Sequence, residues 1–431
     1  MSTVAYKCPN CACPMNYDGV SGKMTCPACD SQFDLEAVEA MYAPQEESRI
    51  DFDTPDETYA ASEVAQMQAY NCKNCGAALI TEGTTTATEC PYCGSPTILP
   101  DRIEGGIRPE MVVPFVVSKE EAQKKFEEYF KGKKLLPNIF KKNNHIAEMR
   151  KLYVPYWLFD CDAKGNVVYN AEKRQVERTD EWEIETIEYY IVRRVGTMSF
   201  ENIPVDGSVK LDNKITESIE PYDLSKAVPF QPAVLAGTMS DHADVDAAEC
   251  EGRAIERVEN SITNALRNTV RGYTTVKERS KNIMATGGKV TPVLLPVWLI
   301  TTVKDGKTYT FAINGQTGEL TCDVPTDKGK AFVWGAGVFA GVMGVGAGVL
   351  AALGKLASGT MLIAGIVALI AAFAVVGGLI GQLKQASSQS SASGYARDGG
   401  LNLQVEFDRY LYTKTNRRKI EKKEEPQSKE A

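Results

Sequence analysis

Eight of the 12 cysteines fall into two sets that share one spacing. Cys8, Cys11, Cys26 and Cys29 read C-x2-C-x14-C-x2-C, and Cys72, Cys75, Cys90 and Cys93 repeat it. Two residues between paired ligands let a tight knuckle aim both sulfurs at one ion, and a short hairpin brings the second knuckle opposite the first. The knuckles CPNC, CPAC and CPYC place Pro after the first Cys, while Gly76 and Gly94 close two of the four, and both residue types suit such turns. Four thiolates complete a tetrahedral shell with no position left for water, so the spacing predicts two structural Zn²⁺ sites rather than catalytic ones. Disulfides, redox pairs or an iron centre are the alternatives. The two histidines, His145 and His242, sit near neither set. Cys13 is either a competing ligand or a bystander, and Cys161, Cys250 and Cys322 read as small buried hydrophobes. Reduced thiolates imply a reducing compartment, which puts the N-terminal region in the cytoplasm.

Two uncharged apolar runs come much later, 331 to 354 and 356 to 383, separated by Lys355. Each exceeds the ~20 residues that a helix needs to cross a bilayer, and the short link makes them a transmembrane helical hairpin. Buried core helices are the soluble alternative. The opening MSTVAYKCP has neither the basic nor the apolar region of a secretory signal. Lys328, Lys330 and Lys384 flank the runs, against Lys355 alone at the tip, so the positive-inside bias also places both termini in the cytoplasm. Gly337, Gly341, Gly344 and Gly348 fall on one helical face, with Gly377 and Gly381 in the second run. Such a stripe is expected to pack within the hairpin, and self-association is its other use. Neither run holds a charge that would mark an ion path.

Charge is segregated along the 431 residues. Residues 1 to 101 hold 15 Asp and Glu against 4 Lys and Arg, a net of −11, whereas the whole chain is −8, leaving +3 for the remainder. Tetrathiolate zinc adds about −2 per site by charge counting. Lys and Arg supply most non-specific affinity for nucleic acid, so the ribbon region is unsuited to bind it.

The middle region repeats itself. VPF recurs at 113 and 228, and P-x-W-L recurs in VPYWLFD and LPVWLIT, which predicts two copies of one α+β unit. Ser118 and Glu121 form a capping box for a helix running to Phe130. Ile255, Val258, Ile262, Leu266 and Val270 mark one face of a second helix ending near Gly272. EYYIVRRVGTMSF and KTYTFAINGQTGEL read as strands. Trp157 and Trp298, flanked by apolar residues, read as core anchors. His242 in SDHADVD reads as part of a solvated helix start, and ERTDEWEIETIE (177 to 188) as one exposed strand face. None of the common nucleophile, phosphate-loop or dinucleotide motifs occurs, so the expectation is a protein that is not an enzyme.

Two segments read as linkers: an acidic, Pro-containing arm at 42 to 58, and ASSQSSASGYARDGG at 386 to 400. Beyond the second, LNLQVEFDRYLYTKT alternates like a strand, and 409 to 423 hold seven basic residues against one acid. That cluster suits either anionic lipid or simple solvation.

In this order, the paired ribbons, GSPTILPDRIEGGIRPEMVVPF, KGKKLLP, VPYWLFD, SFENIPVDGS, SIEPYDLS, ALRNTVRGY, LLPVWLI and YTFAINGQTGEL resemble the YdjG-type family of bacterial membrane zinc-ribbon proteins, whose members often carry TFIIB-type zinc-ribbon or phage-replication labels. The resemblance implies a membrane-anchored adaptor in an envelope-stress system, docking SPFH-type or phage-shock-type protein partners, with the eight paired cysteines as zinc ligands and no catalytic residue. The competing class is a membrane-tethered nucleic-acid-binding or replication-associated protein.

The expected fold is α+β. It comprises zinc ribbon 1 with a short helix (1–41), an acidic linker (42–69), zinc ribbon 2 (70–101), two α+β copies (102–225 and 226–326), transmembrane helices (331–354 and 356–383), and a Ser-rich linker with a basic cytoplasmic tail (384–431).

Overall fold

The computed structural model describes residues 6–42, 52–83, 89–96, 98–101, 107–137, 149–304, 307–322, 326–354, 357–383, 386–397 and 400–420. Residues 43–51 of the acidic arm, Lys355, Lys384 and the tail beyond 420 lie outside them. Strands β1 (Asn16–Asp18), β2 (Lys23–Thr25) and β3 (Gln32–Asp34) form a small antiparallel sheet, followed by α1 (Leu35–Met41). A short α2 (Ala61–Val64) precedes β4 (Met67–Cys72), β5 (Ala78–Glu82), β6 (Ile98–Asp101) and β7 (Met111–Val112). Next come α3 (Lys119–Phe130), the long hairpin of β8 (Arg150–Arg178) and β9 (Trp182–Asp206), and α4 (Asn213–Ser218). β10 (Val228–Pro229) and β11 (Met239–Asp241) lead to α5 (Ala247–Thr269). β12 (Thr275–Lys304), β13 (Lys307–Asn314) and β14 (Leu320–Cys322) precede the apolar helices α6 (Lys328–Ala352) and α7 (Ser358–Gly381), and β15 (Asn402–Lys419) closes the described chain. Among the described residues, β4 to β15 join one mixed sheet of 12 strands.

The centre of that sheet is the antiparallel pair β8 and β12, paired from Arg150↔Leu299 to Glu172↔Thr275 with register shifts between Gly287 and Val290 and between Glu278 and Ser280. Their P-x-W-L segments are buried on both faces, which explains runs of apolar residues where a one-sided strand would alternate. Around this pair the same geometry occurs twice. β11 runs parallel to the start of β8 (Met239↔Leu152), and β7 runs parallel to β12 (Met111↔Val293). Further along, β9 takes over the edge of β8 at Tyr156, and β13 takes over the edge of β12 at Val297. The helices follow suit: α5 packs on the core of Trp157, Phe159 and Phe200, and α3 on that of Trp298, Phe311 and Ile313. Ser118 caps α3 in a box with Glu121, and Asp246 Oδ1 accepts from Glu249 N at 2.9 Å to cap α5.

Met111–Val117 and Met239–Val245 therefore occupy similar places, each leading from a parallel strand to a helix cap. The two VPF segments are not equivalent, because β10 pairs with β7 itself (Val228↔Val112).

α6 and α7 lie against each other and are long and apolar enough to cross a membrane. Their contact uses glycines other than the expected stripe. A Cβ at Gly335 would meet Val376 at 3.5 Å and one at Gly346 would meet Ala364 at 3.7 Å, whereas Gly337, Gly341, Gly344, Gly348, Gly377 and Gly381 have no atom within 4 Å of that position. The stripe faces away from the partner helix, a correction to the packing expected from spacing alone.

The Ser-rich segment after α7 is not a free linker. Ala386 N donates to Cys322 O (2.9 Å), Gln389 N to Glu217 Oε2 (2.6 Å), Ala392 N to Ser261 Oγ (2.7 Å), and Tyr395 OH to Glu220 Oε2 (2.6 Å). Small hydroxylated residues can follow a groove closely and satisfy the polar groups within it, so a composition that reads as flexible becomes a strap. The strap delivers β15 to β9, antiparallel from Asn402↔Thr197 to Lys419↔Trp182. The basic run thus lies along the acidic run, with Arg418 opposite Glu183 and Asn416 opposite Glu185. Glu183 and Glu185 take their ion pairs from β8, with Arg178 at 2.6 Å and Arg174 at 2.9 Å.

Candidate metal centres

In each ribbon the four sulfurs lie within 4.8 Å of one another. Cys8 and Cys29 sulfurs are 3.6 Å apart and Cys11 and Cys26 3.4 Å; Cys72 and Cys93 are 3.7 Å apart and Cys75 and Cys90 3.6 Å. A disulfide would need ~2.05 Å, whereas four sulfurs at ~2.3 Å from a tetrahedral ion sit about 3.8 Å apart. The donor set and its spacing fit a tetrathiolate ion at both places. Cys13 stays outside the first cluster, and its carbonyl accepts from Cys8 N at 2.7 Å.

All four knuckles close in the same way. The N–H four residues after the first cysteine returns to that cysteine's carbonyl: Ala12 to Cys8 (2.8 Å), Asp30 to Cys26 (2.9 Å), Gly76 to Cys72 (2.8 Å) and Gly94 to Cys90 (2.9 Å). Each closing residue is left-handed, with φ of 62°, 55°, 70° and 71°. Ribbon 2 uses glycine there, and ribbon 1 sustains the strain with Ala12 and Asp30. Ser31 Oγ, 3.2 Å from Cys29 Sγ, helps lower that thiol to about 6, favouring the ligating thiolate.

The two centres differ in setting. β4, β5 and β6 of ribbon 2 belong to the main sheet, with β5 paired to β11 (Ser240↔Ile80). Tyr92, between two of its ligands, donates to the buried Asp241 Oδ2 at 2.5 Å, and Ser208 Oγ reaches the same oxygen at 2.5 Å. Cations stand beside the cluster: Lys210 Nζ donates to Cys75 O at 3.1 Å, and Arg150, paired to Glu89 at 2.9 Å, lies near Gly94. Lys210 would offset part of the negative charge of a tetrathiolate ion held there, while Arg150 is already balanced by Glu89. Spacing alone did not reveal Asp241, Ser208, Lys210 or Arg150, because they lie more than 50 residues from the cysteines they serve. Within SDHADVD, Asp246 does cap α5, but Asp241 is buried and holds ribbon 2.

Ribbon 1 is separate from the main sheet. α1 seats it there, packing Ala37 and Met41 on Val168 and Ile191, with Phe407 and Leu411 of β15 alongside. Cys11 is exposed, and so are Tyr17 and Val20 on the β1–β2 hairpin.

No family model matches the chain, and no solved structure matches it. The Bacillus subtilis (strain 168) protein described as "Uncharacterized protein YdjG" is 34% identical over 341 residues, 78% of this chain and 95% of that protein. The chain belongs to the YdjG family. A match of 341 residues exceeds the ribbons and everything from 331 onward taken together, so the YdjG relationship must include the central sheet.

Proposed function

We propose that this protein is a membrane-anchored, cytoplasm-facing adaptor with two structural Zn²⁺ ions, whose ribbon 1 docks protein partners. The observation that carries this reading is where ribbon 1 sits. Trp298 of β12 shares a cluster with Leu383, just past α7, and Lys151 lies opposite it on β8. From Lys151 to Val168, where α1 packs, β8 covers about 55 Å if untwisted. An acidic module with exposed Tyr17 and Val20 is thus held away from the hairpin on a stiff arm. That is a useful geometry for reaching a partner and needs no catalytic group.

Ribbon 2, buried in the sheet, is by contrast an architectural joint. Zinc gives such small modules rigidity that their cores cannot. We also read the central sheet as two copies of one unit, supported by the paired equivalences around β8 and β12. If α6 and α7 cross the bilayer, both their ends return to one body, so everything outside the hairpin lies on one side. Thiolate ligands favour the cytoplasmic side. The outward glycine stripe leaves a face suited to a second copy of the hairpin. The family resemblance suggests SPFH-type or phage-shock-type partners in envelope stress.

Nucleic-acid binding is the competing reading, and the pairing of the basic β15 with acidic β9 weighs against it. The test is to solubilise tagged protein in mild detergent, with and without nuclease, and compare wild type with Cys8→Ser/Cys11→Ser. A nuclease-resistant protein partner lost in the variant supports the adaptor. Nucleic acid lost in the variant overturns it.

A further inference from the structure

The soluble body clasps the hairpin at both ends. Asp327 N donates to Leu135 O at 2.9 Å and Lys330 Nζ to the Leu136 carbonyl, while Leu383, just past α7, is buried with Leu135, Leu136 and Phe311. These contacts hold the segment after α3 level with the start of α6 and the end of α7. That segment carries Lys131, Lys133 and Lys134, and the first turn of α6 carries Lys328 and Lys330. Lys133 Nζ donates to the Gln382 carbonyl, and Lys134 Nζ stands 4.1 Å from the centroid of Trp334.

Lys133, Lys134 and Lys330 thus join two distant segments at one end of the hairpin, with Lys131 and Lys328 next to them in sequence, beside a tryptophan, an aromatic enriched at membrane–water interfaces. Asp327, within this group, caps α6 through Lys330 N at 3.0 Å and also pairs with Lys330 Nζ at 4.0 Å, so Lys330 is not among the cations left to a ligand. From the same end an apolar groove of about 490 Å³ runs between the helices, lined by Ala331, Phe332, Gly335 and Phe339 of α6 and by Phe373 and Val376 of α7. Lys328 precedes Ala331, Phe332 and Gly335 by three, four and seven residues, so it shares their helical face.

We propose that this end of the hairpin binds an anionic phospholipid, with one acyl chain in the groove and the headgroup phosphate among Lys328, Lys134 and Lys133. The proposal rests on the membrane reading of α6 and α7. Charge complementarity selects the occupant, because clustered lysines at headgroup level favour a net negative lipid over a zwitterionic one. It also separates this site from the basic run at 409–419, which lies along acidic β9.

The test uses full-length protein in liposomes and reads quenching of Trp334, taken as the difference from Trp334→Phe, by brominated phosphatidylglycerol and brominated phosphatidylcholine at equal mole fraction. Wild type is expected to favour phosphatidylglycerol. Lys134→Gln/Lys328→Gln should lower that ratio roughly fivefold or more, Lys173→Gln on the arm should leave it unchanged, and Gly335→Leu should lower it by filling the groove. Retained metal content shows that each variant is folded. Equal quenching by both lipids in wild type, or a ratio unmoved by the lysine pair, overturns the proposal while leaving the hairpin in the bilayer. Quenching by neither lipid removes the membrane reading and the proposal with it.

Discussion

The indole Nε1 of Trp157 donates to the carbonyl of Val245 at 3.0 Å, one residue before the cap of α5, and Trp298 makes the same 3.0 Å bond to Val117, one residue before the cap of α3. Each tryptophan therefore fixes the start of the helix that covers its own strand. Replacing Trp157 with Phe leaves a half-buried carbonyl without its donor, at a cost of about 1 kcal/mol, and replacing Trp298 strands the buried one of Val117 at about 1–3 kcal/mol. Hydrogen exchange should then show lost protection concentrated in residues 247–254 for Trp157→Phe and in 119–126 for Trp298→Phe. Loss spread evenly through both helices would contradict the paired roles.

The metal centres should fail differently. Cys8→Ser/Cys11→Ser should halve the zinc content from two ions to one per chain and leave the main thermal transition within a few degrees of wild type, because ribbon 1 lies outside the main sheet. Cys72→Ser/Cys75→Ser breaks the cluster that joins β4, β5 and β6, and the body itself should unfold at markedly lower temperature. Ala12→Gly relieves a left-handed alanine and should tighten ribbon 1's hold on zinc by about 1 kcal/mol in a chelator competition. Indistinguishable melting of the two cysteine variants would mean that ribbon 2 is not built into the body.

The local signals were the readable part. Ligand spacing marked both sulfur clusters, Ser118 with Glu121 marked the start of α3, and uncharged length marked α6 and α7. What escaped was set by contacts between distant residues. The Ser387–Tyr395 strap has the composition of a linker, and only buried acceptors such as Glu217 and Glu220 turn it into core. The VPF repeat matched in letters but not in place, since β10 pairs with β7 itself, and the segment that lies beside β8 as Met111–Val117 lies beside β12 shares little with it beyond Met239, Val245 and the capping pattern. Neither the arm that carries ribbon 1 nor the cations beside ribbon 2 leaves any periodic trace in sequence.

Burial pushes the Asp206 carboxyl up to about 7, and the neighbouring Glu217 and Glu220 push the same way while Thr216 Oγ1, 2.7 Å from Oδ1, opposes them. A carboxyl raised in the folded state binds its proton more tightly there than in the unfolded chain, whose ordinary value is ~3.9. Stability should therefore fall as pH rises from about 4 through 7, with the penalty complete above that. Asp206→Asn keeps an acceptor for Thr216 and removes the ionisation. Its thermal midpoint should exceed wild type by several degrees at pH 8 and converge with it near pH 4. A constant offset across that range would assign the effect to packing instead of charge.

Glu217 and Arg253 form a bidentate pair, at 2.7 and 2.8 Å, that also grips the strap: Gln389 N donates to Glu217, and Arg253 Nη2 donates to Gln389 O at 3.2 Å. Glu217 is buried, so Arg253→Met strands a carboxylate and should cost about 3–5 kcal/mol. The loss should be felt along the chain and not only locally. Freed at 389, the strap no longer positions β15, and β15 supplies Phe407 and Leu411 to the seat of α1. Limited proteolysis should therefore cut first within 386–397, and hydrogen exchange should rise in β15 and then in ribbon 1, while β12 stays protected. Adding Glu217→Gln removes the stranded charge and should recover part of the stability without restoring the grip on Gln389, so strap cleavage persists in the double variant. Cleavage that returned to wild-type levels would mean that the strap is held by its serines and Tyr395 alone, and the buried pair would then be a feature of the α4–α5 contact with no part in carrying hairpin to ribbon.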